Sequence, residues 1–336
     1  MTNKEKYREF CRENKTIPIF SKDWWMDAVC GEENWNILLV EKGGQIVASL
    51  PYYLRKRGKR RYITQPPLTQ INGIWIKYPP NQKYCEKLAY EKKVMTEIIN
   101  QLDELNLDYY SQNFQYSITN WLPFYWKGFK QTTRYSYIIE NLENLDEVYN
   151  NFKCNIRNKI KKAKKRNVKI VFKDDIKTFY TINKKTFDRQ NIAIPYSLNF
   201  IKKLDNALKK KKARKIFFAI DENKKIHSVL YLIWDSMSSY VHMVGGDPEL
   251  RNSGAGILLI WESIKFTKDI LHLNIFDFEG SMIESIEEVR RSCGGIQKPY
   301  FNISKDYKKN IFKIITRDIY DNYPIIQKIY HKIKGR

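Results

Sequence analysis

The stretch GGDPELRNSGAG, Gly245 to Gly256, constrains this chain more than any other. An apolar run with strand character, SSYVHMV, precedes it, and an apolar helical run, ILLIW, follows at once. A turn from strand into helix leaves the first N–H groups of the helix without intrahelical partners, at the positive end of the helix dipole. Glycines let backbone approach an anion closely. Arg251 adds a planar fork of donors that matches phosphate oxygens. The stretch therefore reads as a pyrophosphate cradle. Its spacing, Arg-x-x-Gly-x-Gly, is not a Walker loop, because no Gly-Lys-Ser/Thr follows, and not a Rossmann fingerprint. The bland alternative is a glycine-rich turn carrying a solvated arginine.

Around this loop the chain alternates strands and helices, in two segments of similar order. In the first, SKDWWMDAV reads as a helix with Ser21 as N-cap. WNILLVEKGGQIVASLPYYLRK reads as two strands about a Gly-Gly turn. RYITQPP and GIWIKYP are short strands with proline punctuation. AYEKKVMTEIINQLDEL places Val94, Ile98, Leu102 and Leu105 at helical spacing. In the second segment, VKIVF is a strand, and DDIKTFYTINKKTFDRQ and SLNFIKKLDNALKKK are helices. KIFFAIDENKKIHSVLYLIW is a hairpin about Asp221–Asn223. After the glycine loop come the helix GILLIWESIKFTKD, the strand NIFDFEG, the helix IESIEEVRRSC and the strand PYFNI. The expected division is 1–150, 151–305 and a basic amphipathic tail, 306–336, with a basic helix near 153–166 joining the two segments.

Composition narrows the function classes. The 336 residues, 43% apolar, suffice for two cored domains. No apolar run approaches the ~18 residues of a membrane span, and the N-terminus lacks a signal-peptide core, so a cytoplasmic protein is expected. Five cysteines lie scattered with no CxxC, and the four histidines are dispersed. That spacing argues against a disulfide framework and against a metal site. The net charge is +23, from 60 basic and 37 acidic residues. It points to a polyanionic partner: nucleic acid, anionic lipid or a phosphate-bearing substrate. A general richness in Lys, Asn, Ile and Tyr is the competing explanation.

Arg251-Asn252-Ser253-Gly254-Ala255-Gly256 resembles the acyl-CoA pyrophosphate loop of the GNAT acyltransferases. FKCNIRNKIKKAKKRNVKI (152–170) is similar to the Asn-x-Arg-x-x-Ile-(Arg/Lys)-Lys-Ala helix of the FemABX-like branch. FDFEGSMIESIEEVRRSCGGIQKPYF (276–301) resembles that branch's Phe-Asp-Phe-Glu-Gly-Ser signature and tail, and KGFKQTTRYSYIIEN (127–141) its linker. The resemblance spans nearly the whole chain and is most specific from 150 to 301. It implies an α/β chain of two tandem GNAT-like domains, each a mixed central sheet flanked by helices. The first is degenerate, having no Arg-x-x-Gly-x-Gly, so no cofactor is placed there. The branch holds two kinds of enzyme. Some take an aminoacyl group from tRNA to build peptidoglycan cross-bridges; others, in polysaccharide pathways, are expected to use acyl-CoA. The intact loop and the lack of a long helical arm favour the second kind. The implied activity is transfer of an acetyl or other small acyl group from acyl-CoA to the amine of an activated amino sugar or sugar-lipid. The alternatives are an aminoacyl-tRNA-dependent transferase and a non-catalytic nucleic-acid-binding GNAT relic.

The resemblance also assigns roles. Arg251 to Gly256 hold the pyrophosphate, with main-chain N–H groups near Val244 polarising the acyl carbonyl. In this fold the strands flanking the loop splay apart, and residues on them face the reaction. Strand alternation puts Asp277 and Glu279 on one face of NIFDFEG and Phe276 and Phe278 on the other. Either carboxylate can take the acceptor's proton, or the two can hold the following turn. His242, on the preceding strand, is a further candidate base or a satisfied core histidine. Ser281 is a substrate-binding candidate, or an N-cap for the helix after it. Cys293 reads as structural. The resemblance marks Arg157 as a binder of an acceptor phosphate, while Lys161, Lys162, Lys164 and Lys165 read as a solvated face or a polyanion patch. The tail alternates apolar residues and lysines, which suits packing or peripheral contact with an anionic membrane on the inner face.

Overall fold

The computed structural model describes residues 1–280 and 282–308, which form two compact units. Residues 1–134 and 299–308 make up the first, and 135–298 the second. The division falls sixteen residues before the expected 150, because the strand that opens the second sheet begins before the basic helix does. Expectations placed on Ser281 and on residues 309–336 lie outside the described residues.

The first unit opens with helices α1 (Asn3–Glu13) and α2 (Asp23–Cys30). Ser21 is not the cap of α2: Lys22 holds that place, and Ser21 is buried with its carbonyl accepting from the Tyr7 hydroxyl at 2.7 Å. Strands β1 (Trp35–Lys42) and β2 (Gln45–Arg57) pair antiparallel about Gly43 and Gly44. Both glycines have positive φ, +56° and +74°, as a two-residue hairpin turn requires. Strands β3 (Arg60–Thr64) and β4 (Trp75–Ile76) pair with β2. Helix α3 (Tyr84–Glu104) buries Val94, Ile98 and Leu102 at the expected spacing. Strand β5 (Tyr109–Asn113) runs parallel to β3, and the short helix α4 (Leu122–Trp126) packs beside α3.

Strand β6 (Lys130–Ile139) leads into the second unit. Helices α5 (Leu145–Asn150) and α6 (Cys154–Lys165) follow, then strand β7 (Lys169–Phe172) and helices α7 (Ile176–Asp188) and α8 (Leu198–Lys210). Next come β8 (Arg214–Ile220), β9 (Ile226–Trp234), β10 (Ser238–Gly246), α9 (Ala255–Asp269), β11 (Ile275–Asp277) and α10 (Glu284–Ser292). The sheet order is β6-β11-β10-β9-β8-β7, with one parallel pair, β10 and β11. Along β9, Leu230 and Leu232 join the core under α6 and α9, while Tyr231 packs on Phe179 of α7. Helices thus cover both faces of this sheet.

The last strand, β12 (Ile296–Asp306), returns to the first unit, where Asn302–Asp306 pair antiparallel with β5. Ile303 is buried in that unit's core beside Tyr110 and Phe114. The compact second unit therefore differs from the expected 151–305 at both ends: it gains residues 135–150 and gives up residues 299–305. Pairing over almost two hundred residues decides this, and no local pattern encodes it.

Candidate active site

Strands β10 and β11 pair only from Ser238 to Tyr240 and from Ile275 to Asp277. Beyond that point the pair opens. A register shift between Val241 and Met243 leaves His242 as the extra residue of a bulge against β9. A bulge re-aims a side chain, and the His242 imidazole turns across the opening. Its Nδ1 meets Glu279 Oε1 at 2.8 Å. The imidazole is 1% exposed and the Glu279 side chain 12% exposed, so the carboxylate is the member of the pair that solvent or substrate reaches.

Glu279 does not reach this place by strand alternation. The strand ends at Asp277, and Glu279 has φ +48°, in the left-handed region. Asp277 holds the turn. It is fully buried, and its Oδ1 accepts from the Ser136 hydroxyl at 2.6 Å and from the Glu279 N–H at 2.7 Å. Ser136 on β6 in turn accepts from the Gly280 N–H at 3.1 Å. Gly280 sits so close to β6 that an added Cβ would lie 1.9 Å from the Tyr135 carbonyl oxygen. Burial pushes the Asp277 carboxyl up to about 7, against the Ser136 and Glu279 hydrogen bonds that favour its ionised form. Asp277 thus occupies the bracket position rather than the face of the opening. Phe276 and Phe278 both enter the core and stack edge to face at 5.1 Å.

The glycine loop follows β10. Gly245 is pressed against α7: a Cβ there would stand 2.5 Å from Asn183 Cα. Asn183 Nδ2 donates to the Val244 carbonyl at 2.9 Å, Ser228 Oγ donates to the Gly245 carbonyl at 2.6 Å, and the Gly246 N–H donates to Thr186 Oγ1 at 3.0 Å. These contacts fix the peptide planes entering the loop. Arg251, Asn252 and Ser253 form a single 3-10 turn, and Gly254 starts α9 with φ +86°. A Cβ on Gly254 would lie 2.1 Å from the Lys159 carbonyl oxygen, so this glycine is the seam between the loop and α6. Ser253 is buried, with Oγ accepting from the Ala255 N–H at 3.2 Å. The side chains of Ser253 and Ala255 therefore serve the loop itself, while Arg251 and Asn252 are exposed.

The loop closes one wall of a pocket of about 520 Å³. Val244, Gly245 and the whole stretch Arg251–Gly256 line it, with Lys159 and Lys162 from α6, Arg189 at the end of α7 and Arg290 from α10. Among the described residues none of the five cations Lys159, Lys162, Arg189, Arg251 and Arg290 makes a salt bridge. The lining carboxylate, Asp247, is taken by Lys185 at 2.6 Å, which holds its carboxyl below the usual range. The pocket is therefore strongly positive. Arg290 Nε is buried without a hydrogen-bond partner, and its guanidinium lies 5.5 Å from the centre of the Phe278 ring. Burial lowers its affinity for the proton, opposed by Cys293, Glu279 and Asp277.

One residue, Arg157, falls differently from the sequence reading. Arg157 does not line the pocket; its Nη1 donates to the Asn150 carbonyl at 2.6 Å, at the C-terminal end of α5, where a cation complements the helix dipole. Lys162, read as part of a solvated face or a polyanion patch, is exposed and lines the pocket. Sequence reasoning also missed Asn183, Thr186, Ser228 and Arg290. Arg290 had a usable signal, since Ile286, Val289 and Arg290 share one face of α10 at helical spacing and all three line the pocket. Cys293 is a buried core residue whose thiol burial pushes up to about 12. No group of ligating side chains suited to a metal ion occurs among the described residues.

The sheet splits between two parallel strands, with a glycine-rich loop and a helix N-terminus at the split. Residues 150–283 match the acetyltransferase (GNAT) domain family. Among solved structures it is similar to FemX, with a TM-score of 0.68 and 13% identity over 90% of this chain and 96% of that one. It is also similar to the C-terminal DUF2156 domain of a putative lysylphosphatidylglycerol synthetase from Agrobacterium fabrum, with a TM-score of 0.58 and 6% identity over 94% of this chain and 97% of that one. A third similar structure is L-PGS from Bacillus licheniformis, with a TM-score of 0.56 and 9% identity over 93% of this chain and 94% of that one. These likenesses show that the chain shares its fold with these proteins. No curated protein matches the chain.

Proposed function

We propose that this chain transfers an acyl group from a phosphate-bearing, adenosine-ended carrier to an amine, and that the carrier is aminoacyl-tRNA. The observation that carries the reading is the set of five cations, unpaired among the described residues, around the loop pocket. Such a lining suits several phosphates together, because each cation left without a carboxylate is a point of attraction for one. The FemX-like fold and the likeness to lysylphosphatidylglycerol synthetases support an aminoacyl group as cargo. The charge of +23 fits a nucleic-acid carrier.

In this reading the carrier's phosphates rest on Arg251, Lys159 and the N–H groups at the start of α9. The acyl carbonyl lies in the opening between β10 and β11, near the Val244 main chain. The acceptor amine attacks that carbonyl carbon, a C–N bond forms, and the carrier's oxygen leaves with the electron pair. Glu279 takes the amine's proton directly or through water. His242 holds the Glu279 carboxylate at 2.8 Å. Asp277 holds the turn that presents it.

A second reading keeps acyl-CoA as donor and the amine of an amino sugar or sugar-lipid as acceptor. The Arg-x-x-Gly-x-Gly spacing and the match to the acetyltransferase domain family over 150–283 favour it. Both donors end in adenosine and carry phosphates, so one assay separates them. Purified protein is offered charged tRNA or acetyl-CoA with amine acceptors, and acyl transfer is followed. The proposal expects transfer from charged tRNA. It also expects Glu279→Gln to lower kcat by about 10²–10⁴ while donor binding is kept. Transfer from acetyl-CoA alone would establish the second reading instead.

A further inference from the structure

Helix α4 carries a surface that the transferase chemistry does not use. Pro123 and Phe124 are buried in the first unit's core, while Leu122, Tyr125 and Trp126 are 47%, 58% and 56% exposed. Residues 122, 125 and 126 share one helical face. Trp121 packs edge to face on Tyr125 at 5.4 Å, so the aromatic group is ordered, not splayed at random. One lysine lies against it and two more follow it in sequence. Lys92 of α3 places Nζ 5.2 Å from the centre of the Trp126 ring, Lys127 follows the helix directly and Lys130 opens β6. All three are exposed, and none makes a salt bridge among the described residues. The neighbouring carboxylate, Glu91, is buried and accepts from Tyr78 and Asn120. The patch is thus apolar at its centre and positive at its rim.

We propose that α4 docks this protein on an anionic lipid surface. Trp and Tyr favour the boundary between headgroups and acyl chains, and Leu122 adds an aliphatic group that gains from immersion. Each lysine near such a surface adds to the attraction. Nucleic acid fits less well, because Leu122 has no ring on which a base can stack. No helix of the described residues is long and apolar enough to cross a membrane, so the contact is peripheral. This proposal does not depend on the donor or on the acceptor.

The test is co-sedimentation of the full chain with vesicles of phosphatidylcholine alone, and of phosphatidylcholine with phosphatidylglycerol. The wild type should bind the phosphatidylglycerol vesicles and bind the neutral ones at least about tenfold more weakly. A variant combining Leu122→Ser, Tyr125→Ser and Trp126→Ser should lose binding by about tenfold or more. So should one combining Lys92→Gln, Lys127→Gln and Lys130→Gln. Circular dichroism verifies that both remain folded, as exposed substitutions should. Absence of wild-type binding would overturn the proposal. So would binding that the α4 variants retain, which would place the contact elsewhere on the chain. Loss of tRNA binding with vesicle binding unchanged would make the patch a nucleic-acid surface and also overturn it.

Discussion

At the scale of single residues, two carboxylates two positions apart have different work. Asp277 is buried and fully committed through Oδ1, while Glu279 meets His242 and remains reachable. The raised Asp277 carboxyl has a consequence for stability. Its folded value is about 7, against an ordinary 3.8. Between those values the folded chain holds a proton that the unfolded chain has released. Stability therefore falls as pH rises from about 4 to 7 and levels off above, by up to roughly 4 kcal/mol for this one group. Asp277→Asn removes that titration but leaves its amide without an acceptor, at about 1–3 kcal/mol. Urea unfolding at pH 5 and pH 8 should show a smaller difference for the variant than for wild type. An equal difference would mean that Asp277 is ionised throughout. The sequence put Asp277 and Glu279 on one face of a strand, but the strand ends at Asp277. It could not show that Glu279 turns left-handed, because the partner that fixes the turn, Ser136, lies 141 residues away.

At the scale of elements, the loop from Gly245 to Gly256 was legible because its signals are local: a strand, closely placed glycines and an apolar helix. The hairpin at Gly43–Gly44 and the face of α3 were legible for the same reason. What stayed hidden is which neighbours the loop leans on. Gly254 abuts the Lys159 carbonyl, whereas a Cβ at Gly256 would meet only Ser228 Oγ at an ordinary 3.7 Å. The two glycines should therefore respond differently. Gly254→Ala forces both a positive φ and a backbone clash, and should cost at least about 2 kcal/mol. Gly256→Ala should be near neutral by the same thermal unfolding measurement. The reverse order would contradict the seam between the loop and α6.

At the scale of the whole molecule, the division into units depends on β12, which leaves the second unit's sequence to pair with β5. That pairing could not be read from composition or periodicity, although both segments had correctly read as α/β. The charge of +23 had two explanations in the sequence, function or composition. The structure gathers five of the cations around one pocket, on α6, at the end of α7, on α10 and on the loop. The central claim is that this pocket holds the donor by its phosphates. The most direct test is equilibrium binding of aminoacyl-tRNA and of acetyl-CoA to wild type and to Gly256→Leu, across a range of salt. The account predicts that aminoacyl-tRNA binds, that affinity falls steeply with salt, and that Gly256→Leu, still folded, loses at least about tenfold by filling the pocket. Donor binding untouched by Gly256→Leu and insensitive to salt would contradict it.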